Sequence, residues 1–240
     1  MARAAAVLAS LAAASLRTAD ALAWSDFRPR TLRPTTPSKY ALATPTTNTQ
    51  GYVVREKLFS ISGEDFRIET EEGAPAFDVV GSNKIPFGIG GLVLDKLELR
   101  VAGGPLCGSI ERRAVAMATA YDVYEDGECI CKIERDVVSL TPSYKFFYEA
   151  ENDGNPCYRA TGSFSQRDYD IYARDGSEVA TIGRQLFELL EDRADTYHVR
   201  CAKGVDPAAI IALALVIDED HDEDARKAKE EEESKGGWPF

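Results

Sequence analysis

Asp206-Pro207, followed by Ala208-Ala-Ile-Ile-Ala-Leu-Ala-Leu-Val-Ile217, is the stretch that decides how this chain folds. Ten consecutive apolar residues leave a helix no polar side, and a helix apolar all round has to be enclosed. At about 1.5 Å per residue the run reaches roughly 15 Å, half of a ~30 Å bilayer core, so lipid is a poor enclosure. The chain's own preceding residues are the better one. Asp206 is a good N-cap and Pro207 a good first helical residue, so a helix near residues 206–219 is expected. The acidic run Asp218-Glu-Asp-His-Asp-Glu-Asp224 then marks its return to water.

Upstream of that helix, turn signals recur about every 26 residues. They are Glu72-Gly73, Gly103-Gly104, Asp126-Gly127, Asp153-Gly154-Asn155, Asp175-Gly176 and Lys203-Gly204. Asp-Gly between alternating apolar runs is a strong hairpin cue, because type I′ turns need φ > 0 at both central residues. The flanks alternate: Leu97, Leu99 and Val101 oppose Lys96, Glu98 and Arg100; Phe66 and Ile68 oppose Arg67 and Glu69. Tyr169, Ile171 and Ala173 oppose Asp170 and Tyr172, while Cys129, Cys131 and Ile133 oppose Lys132 and Glu134. Period 2 with one polar face belongs to an antiparallel sheet wet on one side. Six hairpins give about twelve strands, whose two edges stay open unless the sheet closes. With ~4.8 Å between strands and a tilt near 40°, the closed barrel has a radius of about 12 Å, too wide for wall side chains alone to fill. One helix, ~10–12 Å across, suits the remaining space. The expected fold is mainly β: a closed antiparallel barrel of about twelve strands around one buried C-terminal hydrophobic helix.

The ends of the chain read differently. Residues 1–23 have a basic start, an Ala/Leu run and the ending Ala21-Leu22-Ala23, which fits a secretory signal peptide. Residues 24–50 carry Arg28, Arg30, Arg33 and Lys39 against the single acid Asp26, with many Thr and Pro. This segment is read as transit-peptide-like or disordered. Together the two resemble the two-part leader of algae with secondary plastids, with the mature chain expected to start between Tyr40 and Gly51. A secreted protein with a Pro/Thr-rich linker is the alternative. Residues 223–240 are read as an acidic disordered tail.

Glu56-Lys-Leu-Phe-Ser60, Ser62-Gly-Glu-Asp-Phe-Arg-Ile68, Gly73-x-Pro75-x-Phe77-x-Val79-x-Gly81, Tyr121-Asp-Val-Tyr-Glu-Asp-Gly127 and Asp195-Thr-Tyr197 before the terminal helix resemble the LURP-one-related family over residues 51–222. That family is related in fold to the Tubby C-terminal domain and the phospholipid scramblases. The resemblance implies a twelve-stranded barrel around a helix; with no catalytic constellation in the residues, the chain is read as a non-catalytic binding or scaffold module, an enzyme of unknown type being a distant third. Tubby-like barrels bind phosphoinositides through basic residues, so the resemblance also opens a second reading, a module for an anionic lipid headgroup. No residue-by-residue transfer of that lipid site is possible. The cysteine cluster of scramblases is missing here, so scramblase activity is not expected.

The residues themselves name no reaction. His198 and His221, the only histidines, have no nucleophile signature beside them and are read as structural or surface groups. Gly88-Ile-Gly90-Gly91 lacks the Lys and Ser/Thr of a phosphate loop. Cys129-Ile-Cys131 puts two sulfurs on one face of a strand, but no second pair completes a zinc set. No catalytic residue, metal or cofactor is expected. Net charge −12 argues against nucleic acid as a partner. The one candidate site is basic: Arg112 and Arg113 at one strand end, Lys132 and Arg135 near another, with Glu111, Glu134 and Asp136 between them. It would take a phosphorylated headgroup; the other partner is an unidentified protein. The mature chain is expected to be a monomer without a transmembrane segment.

Overall fold

Twelve antiparallel strands close on themselves in this computed structural model, which describes residues 31–56, 65–82, 96–113, 119–137, 141–151, 153–163, 168–184 and 196–236. The strands are β1 (Gln50–Glu56), β2 (Phe66–Thr70), β3 (Pro75–Ser82), β4 (Lys96–Val101), β5 (Leu106–Arg112), β6 (Ala120–Glu125), β7 (Glu128–Arg135), β8 (Ser143–Tyr148), β9 (Tyr158–Ser163), β10 (Asp168–Ala173), β11 (Glu178–Arg184) and β12 (Thr196–Cys201). Each pairs with its neighbours in sequence, and β12 closes onto β1 through Tyr52↔Val199 and Val54↔Tyr197. Closure leaves no sheet edge open. Residues 1–30, Gly88–Gly91 and the last four residues lie outside the described residues, and so does the expected signal peptide.

Alternation puts one apolar set inside. On β4, Leu97 and Leu99 are buried while Lys96, Glu98 and Arg100 lie on the wet face. Strand β7 departs from the simple alternation. A register break between Val123 and Tyr124 leaves Ile130 as an extra residue, so Val123 faces Cys131 and Tyr124 faces Cys129. Such a bulge turns the strand locally. Cys131 is in the core, whereas Cys129 is half-buried and its charged surroundings are Asp122, Glu149, Lys132 and Arg113. The two sulfurs expected on one face are therefore on opposite faces.

The six turn signals all lie at one end of the barrel, here called the floor. Asp126 and Gly127 both have positive φ, 49° and 84°, the signature of the I′ turn that the sequence predicts there. The strand ends that flank residues 57–64, 83–95, 114–118, 138–140, 164–167 and 185–195 lie at the opposite end, the mouth.

Helix α1 (Pro207–Gly236) enters at the floor and leaves at the mouth. Ala208 to Ile217 are each at most 4% exposed, packed on all sides by inward residues of the strands. Replacing Leu213, fully buried, by Ala would remove contacts around the whole side chain and cost about 2–5 kcal/mol.

Two expectations are corrected. The helix does not stop near 219, and residues 223–236 are not a disordered tail but its continuation. The reason is in the composition: residues 225–232 are all Ala, Arg, Lys or Glu, strong helix formers that extend a helix once its first turns are nucleated elsewhere. The second correction concerns residues 32–49. From Leu32 the chain belongs to the same compact unit as the barrel. It runs as a strap across the floor, with Leu32 in the core and Tyr40, Leu42 and Ala43 packed against it. Proline and threonine suit an extended strap as well as they suit a linker, because neither needs a regular ladder.

Candidate functional site

Helix α1 is held by tyrosines and carboxylates at both ends. At the floor, Asp206 is 1% exposed. Its carboxylate accepts from Ala208 N at 3.1 Å, which is the N-cap bond, and from Tyr148 Oη at 2.8 Å. It also accepts from the strap, with Leu42 N at 2.6 Å and Ala43 N at 3.3 Å. Asp206 N donates to Tyr158 Oη at 3.4 Å. Burial pushes the carboxyl above its usual range, and the donors only partly offset that. Tyr148 and Tyr158 are raised in turn, first by burial and then by the charge of Asp206. The inward thiols Cys131 and Cys201 are pushed well up by the same two causes, and Cys107 is pushed up to about 11. They are therefore inert thiols rather than nucleophiles.

At the mouth, Tyr197 donates to Asp218, and Tyr144 Oη donates to Asp220 Oδ2 at 2.6 Å. Tyr169 Oη and His221 Nε2 are 3.0 Å apart. Arg135 Nη1 reaches Asp220 Oδ2 and Asp224 Oδ2, each at 2.9 Å, so a cation from the wall grips the helix as it leaves. Sequence reading found Asp206 as a cap but missed the ring of tyrosines. Their signal was present: each occupies an inward position at or next to a strand end, where a phenol offers an apolar body and one donor.

The four basic candidates do not form one patch. Arg112 is opposite Tyr121 in register, on the inward-facing set of β5, and Arg135 points to the helix exit. Arg113 and Lys132 are on the outer wall, on either side of Asp122. Arg113 makes a two-pronged contact with Asp122 and lies 3.7 Å from Glu134. Lys132 Nζ is 2.9 Å from Glu149. Hydrogen bonds donated to Asp122 and Glu149 hold these two cations above their ordinary pKa values. Lys96–Glu111 and Lys145–Asp136 continue the same pattern on neighbouring strands. The wall thus carries alternating, locally compensated charge.

His198 on β12 is 3% exposed and lies in register between Val53 and Gly183, on the side of the strand away from the helix. It is a buried wall residue. Among the described residues, no group of three or more His, Cys, Asp or Glu is placed to hold a metal ion, and all five cysteines are free thiols. No helix among the described residues is long and apolar enough to cross a membrane.

Comparison with known proteins agrees with this architecture. A profile described as LURP-one-related matches residues 51–218. Among solved structures, the X-ray structure of a protein from Arabidopsis thaliana superimposes with a TM-score of 0.51 at 19% identity, covering 73% of this chain and 93% of that one. At that identity the likeness speaks for the fold alone. No curated protein matches.

Proposed function

We propose that this chain, which belongs to the LURP-one-related family, is a non-catalytic binding or scaffold module that meets a protein partner through its outer surface. One observation carries the reading: the barrel's interior is occupied by its own helix. Ile210, Ile211 and Leu213 have no exposed surface, and the buried carboxylates of Asp206, Asp218 and Asp220 are engaged in holding that helix in place. A substrate chamber needs concave space and polar groups left over for chemistry. Here the centre is filled, and Tyr144, Tyr148, Tyr197 and Arg135 all direct their polar atoms to the helix.

The anionic-headgroup reading is the second, and the ion pairs weigh against it. Arg113, Lys132 and Arg135 already face carboxylates, so a phosphate would have to displace a partner at each. Co-sedimentation of the full chain with phosphatidylcholine vesicles, with and without a phosphorylated inositol lipid, separates the two at low salt. The scaffold reading expects no binding to either. Sedimentation that needs the phosphorylated lipid and disappears in Arg113→Ala/Lys132→Ala would overturn it in favour of the headgroup.

We place the module in a plastid, on the signal-peptide and Arg-rich composition of the residues before the strap, 1–31. A fluorescent fusion to the complete chain tests this directly: co-localisation with chlorophyll is expected, and retention in the secretory pathway or the medium would sink it.

A further inference from the structure

The strap has a consequence for how the chain matures. We infer that residues 32–49 are a permanent part of the folded protein, and that the leader is cut so that the mature chain begins between Trp24 and Leu32.

The downstream bound comes from the floor. Arg33 N donates to Glu178 O at 2.9 Å and Thr35 N to Lys203 O at 3.0 Å. Further along, Thr46 N donates to Val205 O at 2.9 Å, Gly204 N donates to Thr46 O at 2.8 Å, and the Thr46 hydroxyl donates to Ala202 O. Apart from Glu178 at the start of β11, these barrel groups belong to the tight link between β12 and α1, where Ala202 and Val205 have no exposed surface. Leu42 and Ala43 supply two of the donors on Asp206. A cut anywhere from Tyr40 to Gly51 would detach Leu32, Arg33 and Thr35. A cut near Gly51 would also strip Thr46 and both Asp206 donors, leaving buried backbone groups without partners.

The barrel is shaped for this strap. Gly204 has φ +87°, and a Cβ built on it would lie 2.0 Å from Thr35 O. Glycine at that position serves both the left-handed turn and the approach of the strap. The expectation of a start between Tyr40 and Gly51 therefore conflicts with the fold. The upstream bound is the Ala21-Leu22-Ala23 ending of the apolar run. Chemically, one peptide bond in the window is hydrolysed by a processing endopeptidase. Water adds across it, the leader keeps a new carboxylate, and the barrel gains a new ammonium terminus.

Two measurements test this. Amino-terminal sequencing of the protein purified from its own cells should find a first residue from Trp24 to Leu32. A start anywhere before Trp24 or beyond Leu32 overturns the inference. The second uses the full chain made without processing and treated with trypsin under native conditions. Arg33 precedes Pro34 and resists cleavage, so the informative bond is Lys39–Tyr40 in the strap. Cleavage after Lys39 should be at least tenfold slower than in the urea-unfolded chain and should accelerate only in urea that unfolds the barrel. Equal rates with the barrel intact would show that the strap is dispensable, whatever the native terminus proves to be.

Discussion

The floor and the mouth of the barrel face the same physical problem and solve it with different chemistry. At each end a carboxylate of the helix is buried to about 1% exposure, Asp206 below and Asp220 above. Asp220 is met by the guanidinium of Arg135 as well as by Tyr144. Asp206 is met by backbone N–H groups and a phenol, all neutral. A cation offsets the cost of a buried carboxylate directly, whereas neutral donors must be several and well aimed. The floor therefore needs the strap in a way that the mouth does not. It is the closed end, with tight turns below and the strap across it, and the mouth is where the helix runs on into solvent.

The largest expected effect tests the neutral solution. Asp206→Ala removes the N-cap and leaves Leu42 N and Ala43 N without an acceptor, costing about 3–5 kcal/mol in urea unfolding. A loss under about 1 kcal/mol would show that the strap docks without the carboxylate and would break the contrast.

Acidity gives a sharper test of the same contrast. Burial raises the folded pKa of Asp206 above the ordinary carboxylate value, so the folded chain holds that proton more tightly than the unfolded one. The stabilising contribution of that proton is complete below the unfolded value of about 4 and is lost as pH rises through the raised folded value. Urea midpoints from about pH 4 upward should therefore fall with pH in the native chain relative to Asp206→Asn. Parallel profiles would mean that the four donors cancel the desolvation.

At the mouth a smaller effect is expected, because a cation remains. Tyr144→Phe deletes one hydrogen bond to Asp220 while Arg135 stays, so about 1 kcal/mol should be lost. The smallest effect belongs to the projecting helix. Ending the chain after Asp224 keeps the Arg135 contact and removes only exposed turns, so stability should change by less than about 0.5 kcal/mol while ellipticity drops. A large destabilisation would mean that the projecting turns bear on the barrel.

Most of the fold was legible because it rests on short-range patterns. Alternation in β4 and β10, Asp126-Gly127 with its two positive φ values, and the Asp206-Pro207 cap each depend on a few adjacent residues. The departures have long-range causes. A one-residue bulge at Ile130 reversed Cys129, and no local pattern announces where a partner strand will shift register. The basic candidates looked like a patch because sequence order says which residues are near a strand end, not which carboxylate across the sheet will meet them. Arg113 found Asp122, and Arg135 found a helix 85 residues away.

What the amino-acid order alone determined is that a greasy rod follows about twelve alternating strands, and with it a closed wall, since ten apolar residues in a row tolerate no other company. What only the tertiary structure decided is which polar atoms share the two ends of that rod. The strap, the tyrosines and Arg135 are separated from their partners by tens of residues up to more than a hundred and fifty. Burial fixes the position of apolar residues from composition and period, whereas a buried carboxylate is satisfied only by the donors that folding brings within about 3 Å of it.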